Sequence, residues 1–144
     1  MNKVKWALWI TGALLVALLA GYLYGWWGSS TFEQQRDRAL LRLHLSQATA
    51  LVLDARVNVY TTNFGNASRQ LEQAKRYLAN ARPLLQRHAS RDQVPNLEQA
   101  VKLIEQAQAL TQKFDQAANG QAERAVELLR KVYGATPSPE GSGS

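Results

Sequence analysis

The chain has no cysteine, only two histidines and four prolines in 144 residues, and 11 acidic side chains against 17 basic ones. Without a thiol there is no disulfide staple, no thiolate metal site and no cysteine nucleophile, and a lipoprotein anchor is excluded. The histidines, His44 and His88, stand at no metal-ligand spacing to each other or to a carboxylate, and no glycine-rich phosphate loop follows a strand pattern. His44, between two leucines, reads as a helix-face residue. Asp54, with Asn58 or Arg56 beside it, reads as a polar contact at an interface. No catalytic, cofactor or metal residues are therefore expected, and the chain is expected not to be an enzyme. Asn66-Ala67-Ser68 is formally a glycosylation sequon, a pattern that chance alone supplies.

What is present starts with Trp6 to Trp27, WALWITGALLVALLAGYLYGWW, a run without charge. At ~1.5 Å per residue it measures ~33 Å as a helix, which matches a hydrocarbon core of ~30 Å. Trp6 and Trp9 at one end, and Trp26 and Trp27 at the other, sit where interfacial aromatic anchors belong. A cleaved leader would be shorter and end in small residues, so a retained anchor is expected. Lys3 and Lys5 precede the run, whereas Arg36, Arg38 and Arg42 follow it only after a gap and are mixed with Glu33 and Asp37. This asymmetry predicts a cytoplasmic amino terminus, residues 1–5, and a periplasmic or other extracytoplasmic domain on an inner (plasma) membrane protein. Five residues leave no room for an intracellular output domain. Ala13, Ala17, Gly21 and Gly25 recur every fourth position and form a candidate packing face for a second span, a copy of itself or another membrane subunit. Anchoring also argues against nucleic acid as partner for the formal charge of +6. Anionic lipid or an acidic protein surface suits it better.

Beyond the run, Gly28 to Ser30 reads as a break, and Ser30 with Glu33 as a capping box that starts a helical domain over 30–134. Leu41, Leu45, Ala48, Val52, Ala55 and Val59 alternate spacings of four and three, a buried stripe. A second stripe, Leu43, Ala50, Leu53, Val57 and Tyr60, widens the apolar face and predicts more than one neighbour. Residues 61–66 read as a tight turn around Gly65, with one long helix through them as the alternative. Phe64, Ala67, Leu71, Ala74, Leu78, Ala81 and Leu85 form the next stripe, and Pro83 is expected to end or kink that helix near Arg82. Ala100, Leu103, Ala107, Leu110, Phe114 and Ala117 continue the pattern, closed by Asn119-Gly120 as a left-handed cap. A last helix, about Gln121 to Tyr133, buries Ala122, Ala125, Val126, Leu129 and Val132. The prediction is an all-α fold: one N-terminal transmembrane helix over 6–27, then an antiparallel bundle of two tandem hairpins, about 31–88 and 96–134. The tail 135–144 is too poor in apolar groups to pack.

The halves repeat in architecture. Aligning Gly65 on Gly120 gives an offset of 55, and aligning Ala67, Leu71 and Ala74 on Ala125, Leu129 and Val132 gives 58. The turns NFGNA and GQAERA resemble those of tetratricopeptide repeats. The resemblance is confined to the turns, since Asn58 and Gln116 stand where the family has an aromatic residue and the first helix is too long, and it assigns no family.

The remaining signal is charge. Arg69, Lys75, Arg76, Arg82, Arg87 and Arg91 cluster with His88 against only Glu72 and Asp92, a solvated face or a candidate docking surface. If the first helix spans ~48 Å and the return ~37 Å, the return ends ~10 Å short of its starting level, near the Debye length. The reading is a non-enzymatic, membrane-anchored accessory or scaffolding subunit of a larger membrane complex. The alternative is an extracytoplasmic ligand- or envelope-binding sensor module.

Overall fold

The computed structural model describes residues 2–87 and 91–138, with side chains for 16–19, 21–22, 32–87 and 91–138. Among these the chain is all-helical: α1 Asn2–Tyr60, α2 Phe64–Arg87, a 3-10 turn Arg91–Gln93, α3 Val94–Gln112 and α4 Ala118–Ala135. The chain divides into two compact units, residues 1–36 and 37–144.

In residues 1–36 the backbone is helical through Gly28, Ser29 and Ser30, so the expected break and new helix start at Ser30 are not found. One glycine costs a helix interior only ~1 kcal/mol and serine less, too little to interrupt good helix formers on both sides. Among the described residues no helix is long and apolar enough to cross a membrane. Most side chains of Trp6 to Trp27 lie outside the described set.

Residues 37–144 form an antiparallel four-helix bundle. Its core is a narrow stripe on each helix: Leu41, Leu45, Ala48, Val52, Ala55 and Val59 of α1 are buried, as is every expected position of α2 from Phe64 to Leu85. Polar pairs fix which helices are neighbours. Asn58 Nδ2 donates to Gln70 Oε1 at 2.8 Å and Arg87 pairs with Asp37 at 3.7 Å, so α2 runs back along α1. Gln108 Nε2 donates to Glu72 Oε2 at 3.2 Å and Arg82 meets Glu98 at 2.5 Å, joining α2 to α3. Arg42 lies 4.4 Å over the Tyr133 ring, and Arg56 Nε donates to Asn119 Oδ1 at 2.7 Å, which brings α4 back to α1 and closes the cycle.

Several boundaries differ from the sequence reading. The first turn is only Thr61 to Asn63, and Gly65 lies inside α2; the second is Lys113 to Ala117, and Asn119 and Gly120 lie inside α4. Each turn takes its left-handed residue from a side chain poorly suited to it, Thr62 at φ 58° and Phe114 at φ 56°. Both have the same hydrogen bonding: Asn63 N–H reaches Asn58 C=O at 2.7 Å, and Asp115 N–H reaches Leu110 C=O at 3.0 Å, the long bond of a Schellman cap. Asn63 then caps α2 through Asn66 N–H, and Asp115 Oδ1 accepts from Ala117 N–H within the second turn. Phe114, expected in the core, is exposed and meets Phe64 edge-on at 5.7 Å. Pro83 does not end α2, because Leu84 and Leu85 beyond it are buried and hold the last turn on the core. The second stripe of α1 is no core extension: Leu43, Ala50, Val57 and Tyr60 are exposed and Leu53 is half-buried. At the carboxyl end, Thr136 is buried and donates to Val132 C=O at 2.8 Å, so packing extends into the segment expected to be a free tail.

The repeat has a definite register. Core positions Leu45, Ala48, Val52, Ala55 and Val59 recur 52 residues on as Leu97, Ala100, Ile104, Ala107 and Thr111. After the turn the offset becomes 51, which pairs Ala67, Leu71, Ala74, Leu78 and Ala81 with Ala118, Ala122, Ala125, Leu129 and Val132. These values replace the offsets of 55 and 58. They also differ from the ~34-residue tetratricopeptide period. A β-branched side chain in the left-handed region is strained, and asparagine tolerates that region without glycine's entropy cost. Thr62→Asn is therefore expected to stabilise the protein by up to ~1 kcal/mol, read as a higher urea midpoint with unchanged helical circular dichroism.

Candidate docking surface

The six basic side chains expected to dock a partner do not act as one free surface. Lys75 is held by Glu72 at 2.8 Å, one turn earlier on α2. Arg82 and Arg87 make the interhelical pairs with Glu98 and Asp37. Arg69 donates to Asn66 Oδ1, and Arg91 Nε to Gln86 C=O at 2.8 Å. Arg76 is exposed and makes no ion pair among the described residues. It lines a shallow groove of about 450 Å³ between α1 and α2, with Gln47, Leu51, Gln73, Tyr77 and Asn80. The cluster thus separates into two bundle-bracing cations, Arg82 and Arg87, three held locally, Arg69, Lys75 and Arg91, and one open guanidinium, Arg76, set among amides and a phenol. Such a groove offers donors to a carboxylate and an amide-matched floor to a peptide backbone.

Of the groove residues only Arg76 is singled out by the sequence, although a signal for the others is there. Gln47 and Leu51, and Gln73, Arg76, Tyr77 and Asn80, fall at helical spacings on the flank of the buried stripes. His44 is half-buried, its ring 5.9 Å from Tyr77; His88 lies outside the described residues. The Asp54 side chain is exposed; Asn58 Nδ2 donates to its C=O at 3.0 Å as well as to Gln70, while Arg56 turns to Asn119 and Glu123. Of the small-residue face, Ala17 and Gly21 are exposed, and a Cβ at Gly21 would meet nothing within 4 Å. The side chains of Ala13 and the position of Gly25 on that face lie outside the described set, as do Trp6, Trp9, Trp26 and Trp27. Among the described residues no group of three His, Cys, Asp or Glu could hold a metal ion.

Glu72 anchors the α2–α3 seam. Hydrogen bonds from Lys75, then from Gln108, hold its carboxyl below the usual carboxylate range. A carboxyl depressed in the folded state stabilises above its unfolded pKa of ~4.3, and that contribution is lost as pH falls through the folded value. Glu72→Gln should therefore lower the urea midpoint slightly at neutral pH, and the gap to the parent should close on acidification below the carboxylate range. A gap that widens in acid would contradict the assignment. No protein family, no curated protein and no solved structure matches the chain.

Proposed function

We infer that the chain is a non-enzymatic, single-pass membrane-anchored accessory or scaffolding subunit of a larger membrane complex. Trp6 to Trp27 is the span, with interfacial anchors Trp6, Trp9, Trp26 and Trp27. The amino terminus is cytoplasmic and the helical domain extracytoplasmic. Ala13, Ala17, Gly21 and Gly25 pack against a neighbouring span, and the Arg76 groove receives an acidic segment of a partner subunit. The observation that carries this reading lies in the described part of the run. Val16 is 68% and Leu18 65% exposed on different sides of one helix, with no cover from the described residues. A helix apolar all round and uncovered calls for lipid or another helix as its solvent.

The bundle end carrying Arg87 lies beside Asp37, ten residues along the chain from Trp27. Arg36, Arg38 and Arg42 follow Trp27 by 9, 11 and 15 residues, and basic groups this near in sequence to a span serve a subunit whose partners share its membrane, at ~1 kcal/mol per cation where anionic headgroups are within reach. Protease added to cells whose outer barrier is opened should digest the helical domain and spare the span. Protection of the domain, or a mature amino terminus near Ser29, would overturn this topology. Within the same preparation, Gly21→Leu with Gly25→Leu should leave insertion intact and abolish association through the span.

A further inference from the structure

The bundle uses one face of α1, and the opposite face is apolar and uncovered. Leu43, Ser46, Ala50, Leu53, Val57 and Tyr60 alternate spacings of three and four, the a and d positions of three heptads. Leu43 is 49%, Val57 61% and Tyr60 66% exposed. Of the exposed side chains from Ala39 to Thr62 only Asp54 is charged, whereas α2 exposes Arg69, Arg76, Arg82 and Arg87. At 100° per residue this seam lies roughly 160° around the helix from the buried stripe. Of the seam residues only Leu53, half-buried, also packs against the bundle core.

We propose that this seam is a parallel, in-register coiled-coil interface with a second copy of the same chain. Charge selects both the occupant and its direction. With a formal charge of +6, two copies repel over most of their surface, and the seam is the low-charge strip on which they can meet. In a parallel pair the flanking positions facing across the interface are Arg42 with Gln47, Thr49 with Asp54 and Arg56 with Thr61, with no like charges opposed. An antiparallel pair setting Ala50 against Leu53 would oppose Arg42 to Arg56 twice and Asp54 to itself. Arg42 and Arg56 are moreover drawn off the seam toward Tyr133 and Glu123 of α4. Ser46 and Ala50 are small enough to let the backbones approach, and the Ser46 hydroxyl already donates to Leu43 C=O at 2.9 Å, so burying it leaves no donor unpaired. The inference stands on residues of 37–144 alone and does not require the membrane span.

The absence of cysteine gives a direct test. The full chain, purified in mild detergent, is made with one thiol at a time: Ser46→Cys or Ala50→Cys on the seam, Gln73→Cys or Gln99→Cys off it. Same-numbered a or d positions of a parallel pair fall within disulfide reach, so the seam variants should cross-link roughly tenfold faster than the others. Ala50→Lys should convert the dimer to monomer by mass photometry with helicity unchanged. Equal cross-linking at all four sites, a monomeric parent chain, or cross-linking only between Ala50→Cys and Leu53→Cys in mixed samples would overturn the proposal.

Discussion

The bundle rests on the narrowness of its core. Each helix contributes a single stripe at spacings of three and four, and small residues occupy much of it: Ala48 and Ala55 on α1, Ala67, Ala74 and Ala81 on α2, Ala100 and Ala107 on α3, Ala118, Ala122 and Ala125 on α4. Alanine buries little apolar area, so it stabilises chiefly by letting neighbouring axes come close enough for Leu45, Leu71, Leu78, Ile104 and Leu129 to pack. Those large side chains supply most of the burial energy, ~1.5–3 kcal/mol each. Four stripes can be satisfied at once only around a shared axis, and a closed cycle of antiparallel neighbours provides one.

Because the stripes are narrow, specificity falls to the polar groups at their edges. Arg56 with Asn119, Asn58 with Gln70, and Glu72 with Gln108 each join two helices at one height and would be mismatched by a shift of one turn. Two of the cations that give the second helix its basic character, Arg82 and Arg87, work in this way, Lys75 is held within α2 by Glu72, and Arg76 stays open on the groove. Narrowness also explains the outer seam of α1: a helix whose packing duty occupies one face has the other free for a partner.

The stripes were legible in the sequence because periodicity survives any detail of tertiary structure, and the buried sets of α1, α2 and α4 follow it closely. The turns are not legible in the same way, because glycine, the usual mark of left-handed backbone, does not supply it. Here that conformation falls on Thr62 and Phe114, and the readable signal is instead Asn63 and Asp115 that follow, whose side chains accept from backbone N–H groups two or three residues on. The second stripe predicts more than one neighbour for α1, and α2 and α4 both pack on it, but Leu43, Val57 and Tyr60 stay exposed, since hydrophobicity alone does not say which residues of a wide apolar face those neighbours cover. The partners of Arg56, Arg82 and Arg87 are set by which helices become neighbours, a property that spacing along one helix does not encode.

These features describe a chain whose own fold leaves apolar helix surface uncovered twice, around Val16 to Leu19 and along the outer face of α1. The proposed bilayer-anchored scaffold would account for the first, and the proposed second copy for the second. Alkaline carbonate extraction of membranes from cells expressing the full chain tests the anchor, on which the functional account depends. Retention in the membrane pellet, with release only by detergent, is the result the account predicts. Quantitative release into the carbonate supernatant would contradict it.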